Sequence, residues 1–149
     1  MKYDLEILID MPREDVLRLF NNEENLYKWQ PGLQSIKHLS GTHGKQGAKT
    51  ELVFLMGKRK IIMVETIVSM RLPNSFSATY EAKGVWNKVD NSFIAKGEKT
   101  LWKTHNEFKS KGMMRLWTLF MPGAFKKQSY KYMEFFKGFA EGEGREMLA

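Results

Sequence analysis

MMRLWTLFMPGAFKKQSYKYMEFFKGFAE, residues 113–141, decides the fold. Counting from Trp117 at about 100° per residue, Trp117, Met121, Ala124, Gln128, Tyr132, Phe135 and Phe139 fall in one narrow stripe. Phe120, Phe125 and Phe136 flank it, and Lys126, Tyr130, Glu134, Lys137 and Glu141 point the other way. The pattern predicts one long amphipathic helix whose aromatic face needs a large apolar surface to cover it. Gln128 stands mid-stripe, where a polar side chain needs a partner. Pro122 removes one backbone hydrogen bond and crowds the preceding turn. Either a kink or a break is expected there, the break leaving Met113 to Met121 as a separate short helix; because the stripe keeps its phase across Pro122, the kink is favoured.

Everything upstream of this helix reads as sheet, apart from two short helices. Tyr3, Leu5, Ile7 and Ile9 alternate with Asp4, Glu6 and Asp10, the pattern of a half-buried strand. Pro12 opens a helix carrying Val16, Leu17, Leu19 and Phe20, at a position where its missing N–H costs nothing. A second helix, Glu23 to Trp29, stops at Pro31-Gly32. Strands follow at 36–39, 50–56, 59–70, 74–83, 85–95 and 99–109, with turns at Gly57-Lys58, Gly84 and Gly97-Glu98. In the last of them Trp102, Thr104, Asn106 and Phe108 share one face, and Lys103, His105, Glu107 and Lys109 the other.

Length and composition bound the class. The chain has 149 residues, 42% hydrophobic and 28% charged, which fits one globular domain spanning 1–149 with a real core. There is no cysteine, which excludes disulfides, cysteine-based zinc sites and thiol nucleophiles and fits a reducing compartment. The first ten residues have no apolar signal-peptide core, and no apolar run approaches the roughly 20 residues of a membrane span. A cytoplasmic location is the expectation.

The formal charge is +7 and the pI near 9.5. A basic surface for nucleic acid, anionic lipid or acidic ligands competes with a plain solvated surface rich in lysine. The lysines are dispersed. The largest groups are Lys58-Arg59-Lys60 and Lys126-Lys127 with Lys131, and no nucleic-acid motif accompanies them, so no nucleic-acid partner is expected.

Gly41, Gly44 and Gly47 resemble a phosphate loop only superficially. A strand precedes and a strand follows, and Ala48 stands where a P-loop has Lys and Ser or Thr, so a glycine turn is the expected reading. His38, His43 and His105 lack metal-ligand spacing, and no metal or cofactor is expected. Nothing marks a nucleophile. Glu51 and Glu65 lie in strands that are apolar on both faces, so parity does not orient them. An inward carboxylate would have a raised pKa and could act as acid or base. The favoured reading has Glu65 facing out, paired with a lysine across the sheet.

Strand, helix pair, antiparallel strands and a C-terminal helix come with local residues that match a family. Pro12 and Val16 begin the first helix, and Trp29-Gln30-Pro31-Gly32-Leu33 closes the second. Gly41-Thr42-His43-Gly44-Lys45-Gln46-Gly47 precedes a strand, followed by Glu65-Thr66-Ile67, Pro73, and a late strand with Thr100 and Trp102. Over nearly its whole length the chain resembles the START-related, birch-allergen-like superfamily (SRPBCC), in particular its polyketide cyclase/dehydratase and lipid-transport-like branch. The resemblance implies an α+β helix-grip fold: a seven-stranded antiparallel sheet curled around a long C-terminal helix, with two short helices after the first strand. It also implies a hydrophobic cavity between sheet and helix.

Within that frame the expected lining is Trp29, Phe54, Tyr80, Trp102, Thr104 and Asn106, with Trp117, Phe120, Met121, Phe125, Gln128 and Tyr132 from the helix. A mostly apolar wall with a few polar groups is the usual anatomy of a small-molecule site, and a buried water network is the alternative. The leading functional expectation is binding or transport of a hydrophobic small molecule or lipid, without a catalytic constellation. The alternatives are a cyclase- or dehydratase-like enzyme using a carboxylate or Tyr80, and an interaction module like the chaperone-activator branch. Met113, Met114, Met121, Phe120 and Trp117 gather where the last strand meets the helix. They suit a ligand gate, a dimer contact, or a membrane-touching edge helped by Lys111 and Arg115; membrane contact is allowed but not required.

Overall fold

Lys99–Ser110 alternates strictly. Thr100, Trp102, Thr104 and Asn106 are buried, whereas Lys103 and His105 are exposed. This strand is flanked on both sides, and its register propagates one inner face across the sheet. The computed structural model describes residues 1–149. Its strands are β1 (Lys2–Ile9), β2 (Leu33–Ser40), β3 (Lys49–Met56), β4 (Arg59–Arg71), β5 (Ser75–Ala82), β6 (Val85–Lys96) and β7 (Lys99–Ser110). They form one antiparallel sheet in the order β1-β7-β6-β5-β4-β3-β2. Helix α1 (Arg13–Phe20) follows β1, and a single 3₁₀ turn (Glu23–Asn25) leads into α2 (Leu26–Trp29). After β7 come α3 (Met113–Phe120) and α4 (Gly123–Phe139), which runs on through a π-helical turn (Ala140–Gly144) into α5 (Arg145–Leu148). This is the helix-grip architecture.

The C-terminal helix is broken at Met121, not kinked. Met121 has φ −132° and ψ 63°, outside the helical region, and α4 restarts after Pro122. With no N–H at Pro122 and a residue before proline disfavoured in the α region, the break falls where the backbone rules place it. The two helices therefore have independent phases. In α4 the buried residues are Met133, Phe136 and Phe139, with Phe125, Ser129 and Tyr132 partly buried on the same side. The inward stripe is thus rotated by about one residue from the expected one, and Phe135 and Gln128 are largely exposed.

The core is concentrated at one end. Phe136 is 0% exposed and packs with Ile7 and Ile9 of β1, Val16 and Leu19 of α1, and Trp29 of α2. Phe20 meets Phe93, Trp102 and Phe136 edge-on, at centroid distances of 5.1, 5.5 and 5.5 Å. Polar ties hold the same end. Lys137 Nζ donates to Leu8 O at 2.6 Å, the Asp10 N–H donates to Glu141 Oε2 at 2.8 Å, and Lys28 pairs with Glu143. Thr100 Oγ1 donates to Met11 O at 2.8 Å, fastening β7 to the chain leaving β1. At Gly144 a β-carbon would stand 2.7 Å from Leu19 Cδ1, so the π-helical turn brings its backbone directly against α1.

Two glycines secure the turns beside α2. Gly32 has φ +82°, and a β-carbon there would meet Leu55 O at 2.5 Å, while Gly32 O accepts the Leu55 N–H at 2.8 Å. Gly41 has φ +78° and starts the loop before β3, the turn role expected of that glycine run.

Phe136 and Phe120, both expected on the aromatic face, differ completely in environment. Phe136→Ala is expected to cost about 3–5 kcal/mol of stability in denaturant titration. Phe120, 81% exposed, should change stability by less than about 0.5 kcal/mol when made alanine. Equal costs at the two positions would contradict the broken-helix arrangement.

Candidate functional site

Between the sheet and the N-terminal half of α4 lies a cavity of about 450 Å³, within the roughly 300–1,000 Å³ range of small-molecule sites. Strand register explains its walls. One inner row runs Tyr3, Asn106, Val89, Ala78, Ile67 across five strands. The next runs Phe108, Asn87, Tyr80, Glu65, Thr50. Phe54 and Ile61 pair nearer the β3–β4 hairpin. The opposite wall is Phe125, Gln128, Ser129, Tyr132 and Met133 of α4, and Phe20, Trp29 and Gln30 close the end nearest the packed core.

Of the residues expected from sequence, Trp29, Phe54, Tyr80, Trp102, Thr104 and Asn106 line this cavity, as do Phe125, Gln128 and Tyr132. Trp117, Phe120 and Met121 do not, because the break at Met121 turns α3 out of the phase of α4. Trp117 touches the site only through Phe125, edge-on at 5.8 Å. The inner face of β6 escaped the sequence reading. Val85, Asn87, Val89 and Asn91 also line the cavity. Their alternation was visible, and Phe93, two residues beyond Asn91 and fully buried, fixes its direction.

The polar groups divide into those that hold the wall and those that face the space. Trp102 Nε1 donates to Asn91 Oδ1 at 3.0 Å, and Asn91 Nδ2 donates to Phe76 O at 3.2 Å, so Asn91 is internally satisfied. Tyr3 Oη donates to Phe125 O at 3.1 Å and lies 2.6 Å from Ser129 Oγ, tying β1 to α4. Burial pushes the Tyr3 phenol up to about 12, with Ser129 pulling slightly the other way. Asn106 Nδ2 donates to Thr104 Oγ1 at 2.9 Å, while no protein donor reaches Asn106 Oδ1. Trp29 Nε1 is buried without a hydrogen-bond partner. A buried orphan of this kind costs about 1–3 kcal/mol until something accepts from it.

Glu65 corrects the sequence reading. It was expected to face out against a lysine, yet its partners across the sheet are Thr50 and Tyr80, both on the inner face. Glu51 instead pairs with Lys37 and Val64 on the outer face. Parity was ambiguous because Ile62, on the outer face and 50% exposed, is as apolar as the inward Ile61 and Met63. Desolvation raises the Glu65 pKa, offset in part by Tyr80 and His43 and reinforced by Glu23. Burial also holds the Tyr80 phenol well above its ordinary value, with the Glu65 charge adding to the effect. Tyr132 is raised by burial, opposed by Gln128. Glu65 lies behind Tyr80 and does not itself line the cavity, whereas Tyr80 does. Chemically the site offers a mostly apolar volume, the carbonyl of Asn106, the amide of Gln128, and phenols that stay protonated.

No protein-family model and no curated protein matches the sequence. Solved structures do match. Ara h 8.0201 aligns at 14% identity over 93% of this chain and 96% of its own, with a TM-score of 0.76. The Zhui aromatase/cyclase from Streptomyces sp. R1128 aligns at 10% identity over 95% and 93%, TM-score 0.78. Norcoclaurine synthase from Thalictrum flavum aligns at 9% identity over 95% and 87%, TM-score 0.69. At these identities the likeness concerns the backbone and not the chemistry, and the chain shares the helix-grip fold of these structures.

Proposed function

We propose that the protein binds, and in binding can carry, one apolar small molecule or lipid in the cavity between sheet and α4. The observation that carries this reading is the cavity itself, walled mainly by Phe, Met, Trp and Val side chains with a few polar groups. A ligand's apolar body would replace water against Phe54, Val89 and Trp102, at about 25 cal/mol for each Å² of apolar surface covered. Asn106 Oδ1 and Gln128 would orient a polar group at one edge. The matched structures include norcoclaurine synthase in complex with dopamine and hydroxybenzaldehyde, which shows that this fold accommodates small aromatic molecules.

The inward Glu65 favours a second reading, in which Tyr80 and the Glu65 carboxyl behind it form an acid–base pair acting on a bound substrate. A carboxyl whose pKa burial raises can hold a proton and pass it through a phenol that touches the substrate. In this reading Tyr80 is the contacting group and Glu65 its positioning and proton-holding partner.

An apolar fluorescent probe is expected to bind saturably and to be displaced by lipid extract. Val89→Phe, which fills the cavity from the sheet side, should abolish probe binding, and Gln128→Leu should alter affinity while the fold is retained. Unchanged affinity in both variants would remove the proposed pocket. Glu65 makes a separate prediction about pH. Its folded pKa is raised, so its contribution to stability is present below the ordinary value of 4.5 and lost as pH rises through the folded value. Glu65→Gln should therefore stabilise the protein at neutral pH and flatten its stability profile between 4.5 and the folded value, measured by thermal melts across pH. If turnover of any substrate is found, Tyr80→Phe should abolish it and Glu65→Gln should shift its pH profile. Turnover indifferent to both substitutions would dismiss the acid–base reading.

A further inference from the structure

Helix α3 turns an apolar face to solvent. Met113 is 80% exposed, Leu119 70% and Phe120 81%, and no residue of the helix is buried. Met113, Leu116, Trp117 and Phe120 stand at i, i+3, i+4 and i+7, which puts them on one side. Single exposed apolar residues are ordinary on a protein surface, but a contiguous stripe on one helix marks a contact surface. The opposite side of α3 faces the protein. Thr118 Oγ1, which donates within the helix to Met114 O at 2.8 Å, lies 3.0 Å from Ser110 Oγ of β7, and Met114 Cγ lies 3.3 Å from where a β-carbon of Gly84 would stand. The exposed stripe thus points away from the sheet.

Its surroundings are basic. Met56 pairs with Arg59, Ala82 with Val85 and Val85 with Ser110, so the β3–β4 hairpin, the β5–β6 hairpin and the end of β7 lie at the same end of the sheet as α3. That end carries Lys58, Arg59, Lys60, Lys83, Lys111 and Arg115, all exposed. Lys126 and Lys127 follow on the first turn of α4, also exposed. None of them enters an ion pair. Glu81 and Glu107, the acidic residues on the adjoining strand ends, point to the outer face of the sheet, opposite Trp86 and Lys88. At the other end of the molecule cations and carboxylates pair: Lys28 with Glu143, Lys137 with Glu141 and Arg145 with Asp10.

An apolar stripe at one end of the sheet with unpaired cations beside it has one chemical complement, a surface that is apolar beneath and anionic on top. We propose that this end of the protein docks on an anionic lipid bilayer, with Leu119 and Phe120 entering the headgroup region and the Lys and Arg side chains of that end lying against lipid phosphates. A second copy of the chain suits the face poorly, because two such surfaces would bring like charges together. A nucleic acid would match the cations and leave the apolar centre uncovered. The helix is eight residues long, so it lies in the interface and does not span the membrane. Docking does not depend on what the cavity holds. It would, however, set the cavity end lined by Met56, Ile61, Val85 and Phe125 towards the lipid.

Co-sedimentation of the full chain with phosphatidylcholine vesicles, with and without phosphatidylglycerol, tests the proposal. Binding is expected to the vesicles containing phosphatidylglycerol, with loss at high salt. Both Leu119→Glu with Phe120→Glu and Lys58→Glu with Arg59→Glu should weaken it roughly tenfold or more. Lys45→Glu with Lys96→Glu, at the other end of the molecule, should leave it unchanged. All six positions are exposed, and near-ultraviolet circular dichroism verifies that each variant is folded. Equal binding to vesicles lacking phosphatidylglycerol, indifference to the α3 substitutions, or a solution dimer dissociated by Leu119→Glu would each overturn the proposal.

Discussion

The C-terminal helix is gripped at one end only, and the rest of the structure follows from that. Phe136, Met133 and Ala140 belong to one buried cluster with residues of β1, α1, α2 and β7. Lys137, Glu141 and Arg145 then tie the same turns to the chain leaving β1. Seven residues earlier, Phe136's counterpart on the sheet-facing side is Ser129, with Gln128 beside it, and neither is large or apolar enough to reach the sheet. Tyr3 bridges the gap at one edge by bonding to Ser129 and to the carbonyl of Phe125. Elsewhere the space stays open. A close-packed interior of the usual density would need larger side chains at Ser129, Ala82 and Val89.

The break at Met121 is the second determinant. A continuous helix would have carried Trp117 and Phe120 over the cavity and closed it. Instead, Pro122 frees α3 from the phase of α4 and lays it across the end of the sheet, where only Met114, Thr118 and the edge of Trp117 meet the protein. The same few residues thereby leave the cavity uncapped and create an exposed apolar stripe. The uncapped mouth of the pocket and the exposed stripe both follow from one backbone interruption.

Most of the architecture was legible from residue order. The alternation in β7 is unambiguous because its outer face is charged, and it placed Trp102, Thr104 and Asn106 correctly on the inner face. The succession of strands along the chain and the helix pair followed from turn residues and Pro12. What was not legible had physical causes. Strand β4 is apolar on both faces, so Glu65 could be oriented only by its pairing with Thr50 and Tyr80. Carried across Pro122 as though its phase survived, the helical stripe centres on Gln128 and not on Ser129 and Met133. Local periodicity also carries no information about a tertiary gap, so the aromatic residues that fill a core and those that wall a cavity look alike in sequence.

The central claim is that the open half of the grip is a ligand site and not a wet defect in the core. Native mass spectrometry of the purified chain tests it most directly, because it weighs whatever the cavity retains. The account predicts a folded population carrying one apolar molecule per chain, either as isolated or after exposure to lipid extract, and lost when Val89→Phe fills the space. A spectrum of bare chain alone under both conditions would contradict it.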